Sequence, residues 1–290
     1  MQSAILEALL DFLAVEQLLE QTAERNRMRL TALFANGLQD FAPAYLRKIE
    51  KNMRLKDLPD FRLNVAAHSR AYEMRLTARR KARDTTLQDT LDALHLEFAV
   101  NILKYACAAQ NQDQILGTQH TLPMLPVLLD HVRVHYDEMP DLILLYYHLW
   151  GSLAERNGPA DFEVFKYRLW SSDIARAERL ELAAYYRNHC IRQINAGHRA
   201  YEAELATHYR MCLETDLFRN AQGFMLSAEF KNITQFMARR GQLEWLQKFG
   251  AQNLPFIRRN ERPRAQAYFL GMHAFYASDF KSAKKHFLQV

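Results

Sequence analysis

The sequence predicts an all-α protein, an α-α superhelix of stacked antiparallel helical hairpins. Three observations lead there. Gly and Pro supply only 9 and 8 of 290 residues, about half their usual share, while abundant Leu, Ala, Glu, Gln and Arg favour long helices. No run alternates Val, Ile or Thr with polar residues, as a half-buried strand would. Residues suited to tight turns also recur: Asn157, Gly197, Gly241 and Ser278 are 40, 44 and 37 residues apart. One helical hairpin per interval of that size marks an α-solenoid, whose units are too small to fold alone and must stack.

Taken in order, apolar periodicity predicts helices over 3–23, 26–35, 39–54, 60–82, 87–110, 121–136, 140–156 and 160–172. Six more follow over 175–195, 199–217, 227–240, 242–253, 263–277 and 279–290. Pro140 suits a first turn, and Asn157-Gly158-Pro159 closes one helix and opens the next. Gly197 and Gly241 each separate two amphipathic segments. The opening stretch, MQSAILEALLDFLAVEQLLEQ, carries Glu7, Asp11, Glu16 and Glu20 in its apolar pattern. A signal peptide needs a basic start and an uncharged core, so none is expected. The longest uncharged apolar run, Leu142 to Ala154, is too short to span a bilayer. Cys107, Cys190 and Cys212 are far apart and sit inside helical patterns, which suits reduced thiols used as small apolar residues. The expectation is a cytoplasmic chain with no membrane contact. It is read as one helical-repeat domain over 1–290, irregular over 1–85 and built of hairpins over 86–290.

Charge is segregated. Residues 1–24 carry five acids and no Lys or Arg; 25–83 carry 15 basic and 5 acidic residues; 84–230 carry 12 and 20; 231–290 carry 11 and 3. Such blocks suit an extended molecule with separated surface fields. The densest basic stretch, RLTARRKARD, holds Arg75, Arg79, Arg80, Lys81 and Arg83. It lacks the interleaved aromatics that stack bases and accompanies no nucleic-acid motif. A solvated helix end therefore explains it better than nucleic-acid contact does.

The last hairpin has a recognisable pattern. Ala267, Leu270, Gly271 and Ala274 precede the turn, and Phe280, Ala283 and Phe287 follow it. This spacing resembles a tetratricopeptide repeat, W-x2-L-G-x2-Y followed by A-x3-F, with Ala at the Trp and Tyr positions. Upstream, Phe230 and Thr234 before Gly241, and Tyr186 and Cys190 before Gly197, fit the same pattern more loosely. His189 and Gln193 stand where large apolar residues belong. The resemblance covers the C-terminal half.

In tetratricopeptide-like proteins the first helix of each hairpin lines a concave groove, where Asn grips a peptide backbone and Lys or Arg takes a carboxylate. Aligned on their turn glycines, Asn188 and Asn232 coincide, as do Arg187 and Lys231, and Asn195 and Arg239. Asn232, Gln235 and Arg239 share one helix face. The resemblance thus implies a groove of Arg187, Asn188, Asn195, Lys231, Asn232, Gln235 and Arg239 for an extended, acidic peptide or protein partner. In the last unit the same face offers apolar Tyr268, Met272, Phe275 and Tyr276.

Catalytic constellations are not found. His131 and His135 stand at i, i+4, a spacing that can chelate zinc, but no Glu intervenes and no third ligand is evident. Asp89 and Asp92 lack the clustered acids of a di-metal helix. Phosphate-loop, dinucleotide and nucleophile-elbow motifs are missing. The reading is a non-catalytic scaffold without cofactor or metal. Its alternative is a nucleic-acid-binding α-solenoid using 25–83 and 231–290. The final stretch, DFKSAKKHFLQV, is expected to turn Phe280, Ala283, Phe287 and Val290 back onto helix 263–277 and to leave Leu288 outward. With no polar capping helix, that end is expected to continue beyond 290 or to be covered by a second copy or partner.

Overall fold

The computed structural model describes residue 10 and residues 22–77, 85–154 and 159–290. Among them there are 13 α-helices and no strand; an isolated bridge joins Arg219 and Met225. No described helix is long and apolar enough to cross a membrane. The expected helix over 3–23 and most of the basic stretch, from Arg79 through Arg83, lie outside the described residues, as do Asn157 and Gly158.

The chain divides into two compact units, residues 1–178 and 179–290. The sequence reading had placed its internal boundary near residue 85 of a single domain. The first unit contains α1 (Thr22–Ala35), α2 (Ala42–Asn52), α3 (Leu58–Thr77), α4 (Thr86–Leu116), α5 (Leu125–Val134), α6 (Asp141–Leu153) and α7 (Pro159–Ser171). The division falls in the first turn of α8 (Arg176–Asn195). The second unit continues with α9 (Ala200–Glu214), α10 (Ser227–Arg239), α11 (Leu243–Asn253), α12 (Arg262–Tyr276) and α13 (Phe280–Phe287).

Several ends differ from expectation for local reasons. Nothing between residues 23 and 26 breaks a helix, so α1 runs through; Arg27 bonds buried Glu24 at 2.8 Å across one turn. Helix α4 continues six residues past 110 and ends at Gly117, left-handed at φ 68°, whose N–H donates to the Asp113 carbonyl. Helix α5 starts late because Pro126 belongs in a first turn.

In the first unit α6 is the central element. Eleven of its thirteen residues, including Leu142 to Leu149, are buried, and α4, α5 and α7 pack around it. This explains the uncharged run in the sequence: a helix apolar all round is covered all round. Its polar groups are satisfied inside. His148 Nδ1 lies 2.8 Å from Asp161 and its Nε2 2.7 Å from the Tyr136 hydroxyl. Tyr146 donates to Glu178 at 2.6 Å, and Lys104 pairs with the same carboxylate at 3.0 Å. A smaller cluster of Leu30, Leu46, Ile49, Leu63 and Ala67 joins α1, α2 and α3.

In the second unit the turn residues do the same physical job three times. Gly197, Gly241 and Ser278 have φ of 95°, 68° and 63°. At each, the residue after the turn donates back five positions: His198 to Gln193, Gln242 to Met237, Asp279 to Ala274. The turn residue donates back three, to Ile194, Ala238 and Phe275. This paired closure ends a helix by satisfying its orphan carbonyls. The turn spacing in the sequence therefore reports real hairpin ends.

Close helix approach accompanies these hairpins. A Cβ built on Gly271 would lie 2.7 Å from the Phe287 ring, and one on Gly250 would lie 2.4 Å from the buried Phe269 ring. Gly250 sits inside α11, where Ala should gain about 1 kcal/mol of helix propensity. Displacing Phe269 costs about 1–3 kcal/mol, and the more severe end applies to a ring packed in the core. Gly250→Ala is therefore expected to lower stability by about 1–2 kcal/mol. A urea midpoint that rises instead would show propensity winning and the close packing to be soft.

The end of the chain differs in part from expectation. Ala283 is buried and Phe287 packs on Gly271, but Phe280 is 62% exposed. Phe280 sits in the first turn of α13, beyond α12's reach except for Phe275, whose ring centroid is 5.6 Å away. Val290 is also exposed, since α13 ends at Phe287. Leu288 points outward as expected, at 78% exposure.

Candidate functional site

Three helices of the second unit frame a cleft of about 480 Å³. Helix α8 contributes Arg187, Asn188, Ile191, Ile194 and Asn195; α9 contributes Glu202, Leu205 and Tyr209; α10 contributes Asn232, Gln235, Phe236, Arg239 and Arg240. The spacings on α8 and α10, i, i+3 or i+4, and i+7, are those of a single helix face. Six of the seven residues picked from the sequence thus line one cavity: Arg187, Asn188, Asn195, Asn232, Gln235 and Arg239. The seventh, Lys231, does not. Its ammonium lies 5.6 Å from the Tyr268 ring centroid on α12. Tyr268 also donates to Gln235 Oε1 at 3.2 Å.

The amides are available. None of Asn188, Asn195 and Asn232 makes a side-chain hydrogen bond among the described residues, and none is buried. Each can donate and accept. Arg239 is exposed and has no acidic partner among the described residues. The other cations differ. The Arg187 guanidinium pairs with Glu229 on α10 at 2.5 Å, both side chains being about four-fifths covered. It is therefore committed internally rather than open to a ligand carboxylate. Arg240, which sequence reasoning missed, pairs with Glu202 at 3.0 Å and lies over Phe236.

The apolar residues were also missed. Ile191, Ile194, Leu205, Tyr209 and Phe236 supply the apolar part of the lining. The signal existed in α9, where Glu202, Leu205 and Tyr209 recur at i, i+3 and i+7. Finding it required knowing that the second helix of the hairpin turns this face inward.

Helices α8 and α9 also bury polar side chains, His189 and His208 among them. The His208 imidazole stacks on Tyr186 with centroids 4.2 Å apart. Burial, and secondarily the Arg187 charge, lower its pKa to about 3. Burial, then Arg192, lowers His189 to about 4. Cys212 Sγ is 3.6 Å from His208 Nε2, and burial pushes that thiol's pKa up. The pair is a protonated thiol beside a neutral imidazole, whereas a nucleophilic cysteine needs a thiolate beside an imidazolium. All three cysteines are buried and free.

Elsewhere, His131 and His135 stand with ring centroids 4.7 Å apart, and His135 Nδ1 is 3.3 Å from Glu138. No group of three His, Cys, Asp or Glu able to hold a metal ion occurs among the described residues. Comparison with protein-family models, curated proteins and solved structures gives no match for this chain. The likeness to tetratricopeptide repeats therefore rests on its residues alone.

Proposed function

We propose that this chain is a tetratricopeptide-like helical-repeat scaffold, and that the cleft of its second unit binds an extended peptide segment of a protein partner. The observation that carries the proposal is the set of three amides without side-chain partners, Asn188, Asn195 and Asn232, in one cleft with an apolar lining. An extended backbone presents alternating N–H and C=O groups that such amides can bond. The apolar lining of Ile191, Ile194 and Phe236 suits an apolar side chain, and Arg239 suits a single acidic group. That charge pattern is narrower than the broadly acidic ligand implied by the sequence, because Arg187 and Arg240 are already neutralised.

The test is selection of peptides from a random displayed library on the intact chain, followed by titration of the enriched peptides. Asn188→Ala with Asn232→Ala should leave the fold intact, since half-exposed polar groups away from a packed network carry little stability. Binding should weaken by about 1–3 kcal/mol if both amides bond the ligand backbone. Enriched peptides that bind the double variant as tightly as the parent would place their site elsewhere and sink the reading.

A further inference from the structure

We propose that a second cavity of the second unit, between α9 and α11, binds a small organic anion: a carboxylate or phosphate head on an apolar body that also carries a hydrogen-bond donor. The cavity measures about 580 Å³, within the usual range for small-molecule sites, and shares no lining residue with the cleft of α8, α9 and α10. Helix α9 supplies Arg210, Leu213 and Glu214 at i, i+3 and i+4, and α11 supplies Trp245, Lys248 and Gln252 at i, i+3 and i+7, so each helix offers one face. The segment after α9 completes the lining. There Asn220 Oδ1 accepts from the Gln222 and Phe224 N–H groups, and the Met225 N–H donates to the Phe256 carbonyl at 2.9 Å. Arg219 lies over Phe256, its guanidinium carbon 3.7 Å from the ring centroid.

The head group follows from the cations. Among the described residues Arg210 meets only neutral groups, Gln242 at 3.4 Å and the Trp245 ring at 5.9 Å, and Lys248 has no side-chain partner. Arg219 is paired with Asp216 at 3.2 Å. Glu214 is the single carboxylate in the lining and makes no ion pair among the described residues; with Asp216 counted as well, one positive charge is left over. Glu244, one turn before Lys248, lies outside the lining and is not paired with it. A guanidinium against an aromatic ring keeps its N–H edge for a carboxylate or phosphate, and an ammonium can join it. The apolar body suits Leu213, Phe249 and Phe256, and its donor suits Asn253. That side chain lines the cavity at 7% exposure, and its Nδ2 donates to the Phe249 carbonyl at 3.0 Å. A carbonyl only accepts, so the amide's orientation is fixed and Oδ1 is left without a partner among the described residues. A covered acceptor is rarely left so, and an N–H or O–H on the ligand completes this one.

Calorimetric titration of the full chain with matched aryl acetates, aryl phosphates and neutral aryl acetamides, each with and without a ring hydroxyl, tests this. At least one anionic series is expected to saturate with Kd below about 1 mM and to bind at least about tenfold more tightly than the acetamides; the tighter anion identifies the head group. Removing the ring hydroxyl should weaken binding about fivefold or more. Arg210→Gln with Lys248→Gln should weaken it at least about tenfold while circular dichroism stays unchanged. Arg239→Ala, in the other cleft, should change nothing, which separates the two sites. Inorganic phosphate binding as tightly as the aryl phosphates would reduce the site to loose attraction between surface cations and any anion, and would overturn the proposal. So would an absence of saturable binding, equal affinity for the acetamides, indifference to the hydroxyl, retention of binding by the double Gln variant, or its loss in Arg239→Ala.

Discussion

Arg187→Ala is expected to cost the second unit about 3 kcal/mol, the range for breaking one side of a covered ion pair. The reason lies with the partner left behind. Glu229 is about four-fifths covered, and its Oε2 already has no hydrogen-bond partner. Remove the guanidinium and a mostly buried carboxylate loses its counter-charge. Replacing both members, Arg187→Met with Glu229→Leu, should restore most of that loss, because apolar groups need no compensation. Arg239→Ala should change stability by less than about 0.5 kcal/mol, since its side chain is exposed and unpaired. Urea midpoints of the three variants decide the matter. If Arg187→Ala keeps the parental midpoint, the pair is a solvated contact, and Arg187 returns to the set of ligand-facing residues.

That contrast shows what the sequence could and could not convey. The hairpin ends were legible because a helix closed in this manner needs a left-handed residue, and Gly197 and Gly241 advertise one; Ser278 does so less plainly. The cleft amides were legible because α8 and α10 repeat at an offset of 44 residues, so equal register means equal face. Equal register did not mean equal role. Arg187 and Lys231 occupy matching positions, yet one meets Glu229 on α10 and the other meets Tyr268 on α12. Ion pairing between helices depends on which neighbour each helix has, and no helical period encodes that.

Acidification from pH 7 to pH 5.5 is expected to destabilise the second unit by about 2–3 kcal/mol, through His189 and His208 acting together. Both are held neutral in the fold, His189 at about 4 and His208 at about 3, by burial first and a nearby Arg second. An unfolded chain has them near the ordinary value of 6.5. The folded values are the lower ones, so between about 6.5 and 4 the unfolded state binds two protons that the folded state refuses. Stability is complete above that window and falls as pH drops through it, by about 1.4 kcal/mol per unit for each imidazole. At pH 5.5 most exposed carboxylates are still ionised, which keeps the histidine contribution separable from general acid unfolding. Around His208 stand Tyr186, stacked on it, Tyr209, Cys212, the Arg187 charge and the Ala183 backbone, whose hydrogen bond favours protonation but is outweighed by burial. Beside His189 stand Arg192, at 3.0 Å, and Tyr201. His208→Phe retains a ring against Tyr186, and should halve the pH slope whatever it does to absolute stability. The corresponding change at His189 should remove most of the remainder. Amide hydrogen exchange of residues 179–240, followed at pH 7 and pH 5.5 after correction for intrinsic rates, reads the second unit by itself. A protection free energy that is flat over this interval in the parent chain, or a slope untouched in His208→Phe, would mean that these imidazoles take up protons in the folded state, and the expectation would fail.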